Sequence, residues 1–318
     1  MRNAPPEDLL ARAREGQRGP LARLLSLVER GGEPARRVGR LTFPLAGSAH
    51  TIGLTGAPGA GKSTLTSALV AHMRSLDVPA AVLAIDPSSP FTGGAILGDR
   101  VRMVDHALDA GVFIRSMATR GQLGGLALAT PAAVRVLDAV GFGWVLIETV
   151  GVGQVEVEIA GEADTTVVVV NPGWGDSVQA NKAGLMEIAD IFVINKADRP
   201  GVADTRRDLE QMLELSKLGE WIPPIVATVA HDGQGADQLW DAVQQHRAFL
   251  ERSGEGAKRR ARRLDEELRR LLIEAVLERA DRRWQAPAGV RLREEVAARR
   301  LDPYRAAEAL LGEEPDPD

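Results

Sequence analysis

Residues 56–63 read G-A-P-G-A-G-K-S, a complete G-x-x-x-x-G-K-[ST] sequence between an apolar run at 51–54 and a helical pattern that begins at Ser63. Strand, glycine-rich turn and helix in that order confine the chain to an open α/β sheet with a phosphate site at the turn. Glycine has no Cβ, so successive N–H groups can turn inward, and Gly56, Ala57, Pro58, Gly59, Ala60 and Gly61 form a cradle for the α- and β-phosphates. Lys62 then neutralises the β,γ-phosphates, the Ser63 hydroxyl ligates Mg²⁺, and Thr64 closes the set as the helix begins with its positive end toward the nucleotide. The alternative is a bare glycine-rich turn; the strand and helix flanks argue against it.

The rest of the chain agrees with this fold. Apolar runs at 51–54, 81–85, 112–115, 144–147, 166–170, 191–194 and 225–227 alternate with helical segments, the pattern of a mostly parallel sheet with helices on both faces. Leucines at helical spacing over residues 7–29, interrupted by Gly16 and Gly19-Pro20, predict two short helices in an N-terminal segment, 1–48. A nucleotide domain over 49–252 follows. Ser253-Gly254-Glu255-Gly256 breaks it, and a helix from Lys258 to about Arg283 opens a C-terminal arm, 253–312, before a tail, 313–318, whose E-E-P-D-P-D reads as disordered. In that arm Arg259, Arg260, Arg262, Arg263, Arg269 and Arg270 interleave with acids, which predicts a solvated helix face rather than a nucleic-acid or membrane surface. The apolar stripe of Leu264, Leu268, Leu271, Leu272, Ala275 and Val276 needs burial, and another subunit is its expected cover.

Which base is bound is decided at residues 189–198, A-D-I-F-V-I-N-K-A-D, an apolar strand ending in Asn195-Lys196-Ala197-Asp198. A carboxylate at Asp198 accepts from both the ring N–H and the exocyclic amine of guanine, a donor pair that adenine lacks. Asn195 ties this loop to the phosphate loop, and the Lys196 stem covers the base face. Thr228, Val229 and Ala230, after the strand at 225–227, lie where a backbone N–H can read the guanine carbonyl. The expected ligand is GTP or GDP.

Two further strand ends bring acids to the same edge. The run 80–86 delivers Asp86 and the run 144–148 delivers Glu148, which opens an acid-x-x-Gly sequence ending at Gly151. Glu148 can hold a magnesium-bound water and the Gly151 N–H can touch the γ-phosphate, so its loss on hydrolysis would release the loop. Between the two acids, residues 87–103 carry Thr92, Gly93, Gly94 and Asp99 in a small, polar run suited to reorganising around the metal. The metal set is therefore Ser63, Asp86, Asp99 and Glu148. Helix capping is the alternative role for single acids at strand ends.

Together, G-A-P-G-A-G-K-S-T, I-D-P-S-S-P-F-T-G-G-A-I-L-G-D-R-V-R-M, E-T-V-G-V-G-Q-V-E, N-P-G-W-G-D-S-V-Q-A-N-K-A-G-L-M-E-I-A-D and N-K-A-D resemble the MeaB/ArgK family of GTPases, over roughly residues 5–252. The resemblance implies a SIMIBI-class P-loop GTPase that chaperones an adenosylcobalamin-dependent acyl-CoA mutase, usually methylmalonyl-CoA mutase, and a homodimer built partly from the arm. It also implies that residues 171–182 are a third mobile loop, with Asp176, Gln179 and Lys182 as candidates for relaying nucleotide state. Two departures stand out. Val229 replaces a serine in the guanine-carbonyl loop, and Val152 follows Gly151 where small signalling GTPases carry a water-orienting glutamine. Gln154 is the nearest substitute, which predicts slow intrinsic hydrolysis, with Lys62 and Glu148 as the other catalytic residues.

Composition narrows the setting. The 318-residue chain is 44% apolar, carries a net charge of -5 and has no cysteine, so disulfides and thiolate metal delivery are excluded and no global pull toward nucleic acid exists. The first residues lack a charged start before an apolar core, so a cytoplasmic location is expected. Two other functions stay open: an ArgK-type kinase, which needs a phosphate-acceptor site, and a metallocentre-insertion GTPase, whose usual histidine or cysteine cluster is not found in the sequence.

Overall fold

The computed structural model describes residues 4–86, 106, 108–118, 125–149, 163–173, 188–215 and 219–312. Helices α1 (Pro6–Arg14), α2 (Arg18–Arg30) and α3 (Gly32–Thr42) precede β1 (His50–Gly56), α4 (Lys62–Ser75), β2 (Ala80–Asp86), β3 (Val112–Ala118), α5 (Gly125–Ala139) and β4 (Trp144–Thr149). There follow β5 (Thr165–Val170), β6 (Ile191–Asn195), α6 (Val202–Leu215), β7 (Ile225–Thr228), α7 (Ala236–Ser253), α8 (Glu255–Gln285), α9 (Pro287–Ala297) and α10 (Pro303–Leu311). The strands form one sheet in the order β3-β2-β4-β1-β5-β6-β7, parallel throughout. Every expected strand is present.

The reason is burial on both faces. Along β4, Val145 and Ile147 enter one core with Leu83, Ile85 and α5, while Trp144 and Leu146 enter the other with Val82, α4 and α7. Strands covered by helices on both sides read as unbroken apolar runs, which made them legible. The first core also takes Leu9, Leu10, Leu21, Leu24, Leu25 and Val28. The N-terminal helices therefore cover this face, and Arg18, donating to Val112 O at 2.8 Å, with the 2.7 Å Arg115–Glu29 ion pair, ties them to the edge strand β3. The two helices expected over residues 7–29 are α1 and α2, separated at Gly16 (φ 86°), while Gly19-Pro20 lies in the first turn of α2, where proline is tolerated. A third helix, α3, lies beyond that stretch and follows a second break at Gly31-Gly32, with φ of 74° and 73°.

The chain groups into two compact units, Met1–Arg263 and Leu264–Asp318. Within the second, Arg283 Nη1 donates to Leu310 O at 2.8 Å and the Arg293 guanidinium stands 4.7 Å from the Trp284 ring centroid. Asp302 caps α10 by accepting from the N–H groups of Tyr304 and Arg305, both at 3.0 Å. Residues 313–318 lie outside the described residues. No helix among the described residues is long and apolar enough to cross a membrane.

In the first unit the start of α8 differs from expectation. Arg259, Arg260 and Arg263 do not line a solvated face. Arg259 Nη1 lies 3.0 and 3.1 Å from the two carboxylate oxygens of buried Asp190, Arg260 Nε lies 3.1 Å from Asp164, and Arg263 also pairs with buried Asp164. These aspartates precede β6 and β5 directly, and each also accepts a backbone N–H, Asp164 from Thr51 at 3.0 Å and Asp190 from Thr166 at 2.8 Å. The arginines thus compensate charges that burial would otherwise make costly.

Beside them Thr165 Oγ1 joins His50 Nε2 and His246 Nδ1, each at 2.8 Å. Burial, opposed by Asp164 and assisted by Arg247, His246 and Arg260, lowers the His50 pKa to about 4. Between that value and the ordinary 6.5 the unfolded chain binds a proton that the folded chain refuses, so stability falls as pH drops through this window. The share from His50 is about 3 kcal/mol. For Asp164, burial acts upward, but Arg263 and Arg260 outweigh it and hold the carboxyl well below its usual range, so its stability share is lost only at lower pH. Urea unfolding of His50→Gln is expected to show a flatter pH dependence between 6.5 and 4 than the wild type; an unchanged slope would refute the assignment.

Candidate nucleotide site

The sheet order reverses around β1, which has β4 on one side and β5 on the other, and the carboxyl ends of these strands are where such sheets bind ligands. β1 runs into the phosphate loop there. Gly56 opposes Val169 across the β1–β5 pair, and a Cβ on Gly56 would stand 2.1 Å from Val169 O, so only glycine lets the loop leave the sheet at this point. Gly61, at φ 91°, is equally constrained: a Cβ there would meet Asn195 Nδ2 at 2.4 Å. Pro58 and Gly59 form the exposed crest, while Ala60, Lys62 and Ser63 are buried and Ala57, Gly61 and Thr64 half-buried. α4 begins at Lys62 without a side-chain cap, so its first-turn N–H groups remain suited to an anion.

Lys62 Nζ donates to Gly56 O and lies 3.4 Å from Ala57 O, folded against the carbonyls of its own loop. Ser63 Oγ donates to Glu148 Oε1, which joins the first turn of α4 to the buried end of β4. A hydroxyl and a carboxylate held together are hard oxygen donors, so the pair fits a magnesium ion. β2 runs alongside β4 with Ala84 opposite Glu148, which places the backbone of Asp86 at the same edge. Asp99, Gly151, Val152, Gln154, Asp176, Gln179 and Lys182 lie outside the described residues, as do residues 87–103.

The other half of the site interlocks with the first. Asn195 Nδ2 donates to Ala60 O at 2.8 Å, and its Oδ1 accepts from Thr228 Oγ1 at 3.1 Å and Ala230 N at 3.2 Å. Lys196, in the left-handed region at φ 59°, sends its ammonium to Gly59 O at 2.6 Å. Ala197 N donates to Thr228 O at 3.0 Å, and Asp198 at the tip is exposed. One asparagine therefore ties together the phosphate loop, the β6 loop and the β7 loop. Val229 N is taken by Gln234 O at 3.0 Å, so of the expected carbonyl readers Ala230 N is the one a guanine oxygen would share with Asn195. Sequence reasoning missed Asn171, whose Nδ2 also reaches Gly59 O, at 3.4 Å. The available signal was a polar residue directly after a strand that ends in four valines.

Known proteins resemble this chain over most of its length. Residues 21–285 match the family model described as methylmalonyl Co-A mutase-associated GTPase MeaB. The chain is 50% identical over 315 residues to an inferred GTPase of Pyrococcus abyssi, covering 96% of each, and 37% identical over 277 residues to GTPase ArgK of Escherichia coli, covering 84% of each. Among solved structures it is similar to the crystal structure described as LAO/AO transport system kinase, with a TM-score of 0.71, 28% identity and coverage of 98% and 97%.

Proposed function

The chain belongs to the MeaB family of GTPases, and from that premise we propose that it is a chaperone of an adenosylcobalamin-dependent acyl-CoA mutase, most naturally methylmalonyl-CoA mutase, gating cofactor loading and protecting or reactivating the enzyme. The observation that carries the reading is the interlock in which Asn195 joins the phosphate loop to the guanine loop: whatever moves one moves the other. We place the protein in the cytoplasm.

The chain's own residues perform most of the reaction, GTP and water giving GDP and phosphate. The uncapped start of α4 and the loop N–H groups hold the α- and β-phosphates, and Asp198 with Ala230 N reads guanine. Lys62 leaves the carbonyls of its own loop to meet the charge that builds on the γ-phosphate oxygens. Ser63 and Glu148, with Asp86 and Asp99, would hold magnesium, which supplies charge neutralisation between the β- and γ-phosphates when bound. Val152 cannot orient water, so hydrolysis by the isolated protein is slow and Gln154 takes its place once a partner closes the loops around it and around Asp176, Gln179 and Lys182.

The family name supports a mutase partner. The exposed apolar residues of α8, among them Leu268, Leu272, Ile273 and Leu277 at 50–65% exposure, support a homodimer seated on that face, and a monomer in light scattering would remove it. The decisive experiment is single-turnover GTP hydrolysis with and without the mutase from the same organism. Acceleration by the mutase is expected, and by linkage GTP and GDP must then differ in mutase affinity. No acceleration, together with phosphate transfer to a small molecule or protein, would favour the kinase reading that the name of the LAO/AO structure raises.

A further inference from the structure

We infer that Asn171 is a positioning residue for the phosphate loop, engaged fully only when a guanine nucleotide is bound; the inference rests on the nucleotide reading above. β5 lies in backbone contact with the loop's first residue, Val169 opposite Gly56, and Asn171 follows two residues later beside the crest. There its Nδ2 shares one acceptor, Gly59 O, with the Lys196 ammonium. Two neighbouring strands thus hold one crest carbonyl, yet unequally, since the Lys196 bond is 2.6 Å and the Asn171 bond 3.4 Å. A bond that long is weak and has room to tighten.

The other atom of the same amide points to the same conclusion. Asn171 Oδ1 is buried and has no hydrogen-bond partner among the described residues. A flipped amide would not remove the problem, because Gly59 O can only accept and would then face a second oxygen. Buried acceptors without partners are rare in native proteins, and one beside a ligand loop is accounted for if the bound state brings its donor. A nucleotide brings such donors, as hydroxyls or as the waters of its shell. On the far side, Gly173 N donates to Thr205 Oγ1 at 3.1 Å, so this short stretch is fixed to α6 as well as to the loop.

The test measures release of a fluorescent GDP analogue from wild type, Asn171→Ala and Asn171→Asp, with the melting temperature of each nucleotide-free protein. Asn171→Ala is expected to release GDP about tenfold faster, the worth of one good hydrogen bond to a bound-state partner, without a lower nucleotide-free melting temperature. Asn171→Asp, which sets a carboxylate against Gly59 O, should release it faster still, increasingly so as pH rises through the carboxylate range. Wild-type release from Asn171→Ala would overturn the inference, and so would faster release accompanied by an equal loss of nucleotide-free stability, which marks a purely structural role. Failure of the wild type itself to bind the analogue would remove the inference and the nucleotide reading together.

Discussion

Lys62→Ala is expected to lower single-turnover GTP hydrolysis by about a thousandfold or more, while GDP binding changes far less. The asymmetry follows from where charge develops. On the proposed reading GDP is held chiefly by the loop N–H groups and the uncapped start of α4, with its base on the Asp198 loop, so Lys62 contributes less to GDP than to the γ-phosphate. In the transition state negative charge spreads over the γ-phosphoryl oxygens, and a fixed cation in a site that excludes water is worth on the order of 10³ in rate. The ammonium already sits buried over Gly56 O and within 3.4 Å of Ala57 O, so little reorganisation separates it from the phosphates. Lys62→Arg should not rescue, because the broader guanidinium has no room in a cradle built for a point charge. Hydrolysis by Lys62→Ala within tenfold of wild type, from a folded protein, would mean that Lys62 is not the transition-state cation.

Asp198→Asn is expected to exchange base preference, with GTP affinity falling by roughly two to four orders of magnitude and xanthosine triphosphate gaining. Guanine offers two donors that the carboxylate accepts, whereas an asparagine presents its amide donor to a guanine N–H and its oxygen to one partner alone. Xanthine carries a second carbonyl that wants the amide donor. The loop's framework does not depend on the replaced group: Lys196 is anchored on Gly59 O, Ala197 N on Thr228 O, and the Asp198 side chain is exposed. Titration calorimetry with guanine, xanthine and adenine nucleotides decides it. Equal affinity of the wild type for ATP and GTP would overturn the guanine assignment.

Local pattern made some of this visible in the sequence. Central strands such as β2, β4, β5 and β6 were readable because a parallel sheet buried on both faces demands near-continuous apolar runs, and the phosphate and base loops because their residues are adjacent in the chain. α3 was not readable: its core contribution is chiefly Val38 amid charged neighbours, too little for a helical stripe. The arginines of α8 were misread for a different reason. Alternating charge along one helix says how it could face water, but the carboxylates that claim Arg259, Arg260 and Arg263 lie 69 to 99 residues away at the starts of two strands. Asn171 belongs to the same class, since only the register that sets Val169 against Gly56 brings it to the loop. Contacts that depend on register between distant strands leave no periodic trace.

The clasp of α8 on the sheet also has a consequence for how the chain is made. All seven strands of the described residues have been synthesised once Thr228 is in place, but Asp164 and Asp190 then still lack the guanidinium groups of Arg259, Arg260 and Arg263. At ordinary translation speeds those last residues follow by roughly 2 to 7 seconds. During that interval a nascent chain has all its strands but two carboxylates without their counter-charges, so the nucleotide domain reaches its final stability only after a helix beyond its last strand has begun to emerge.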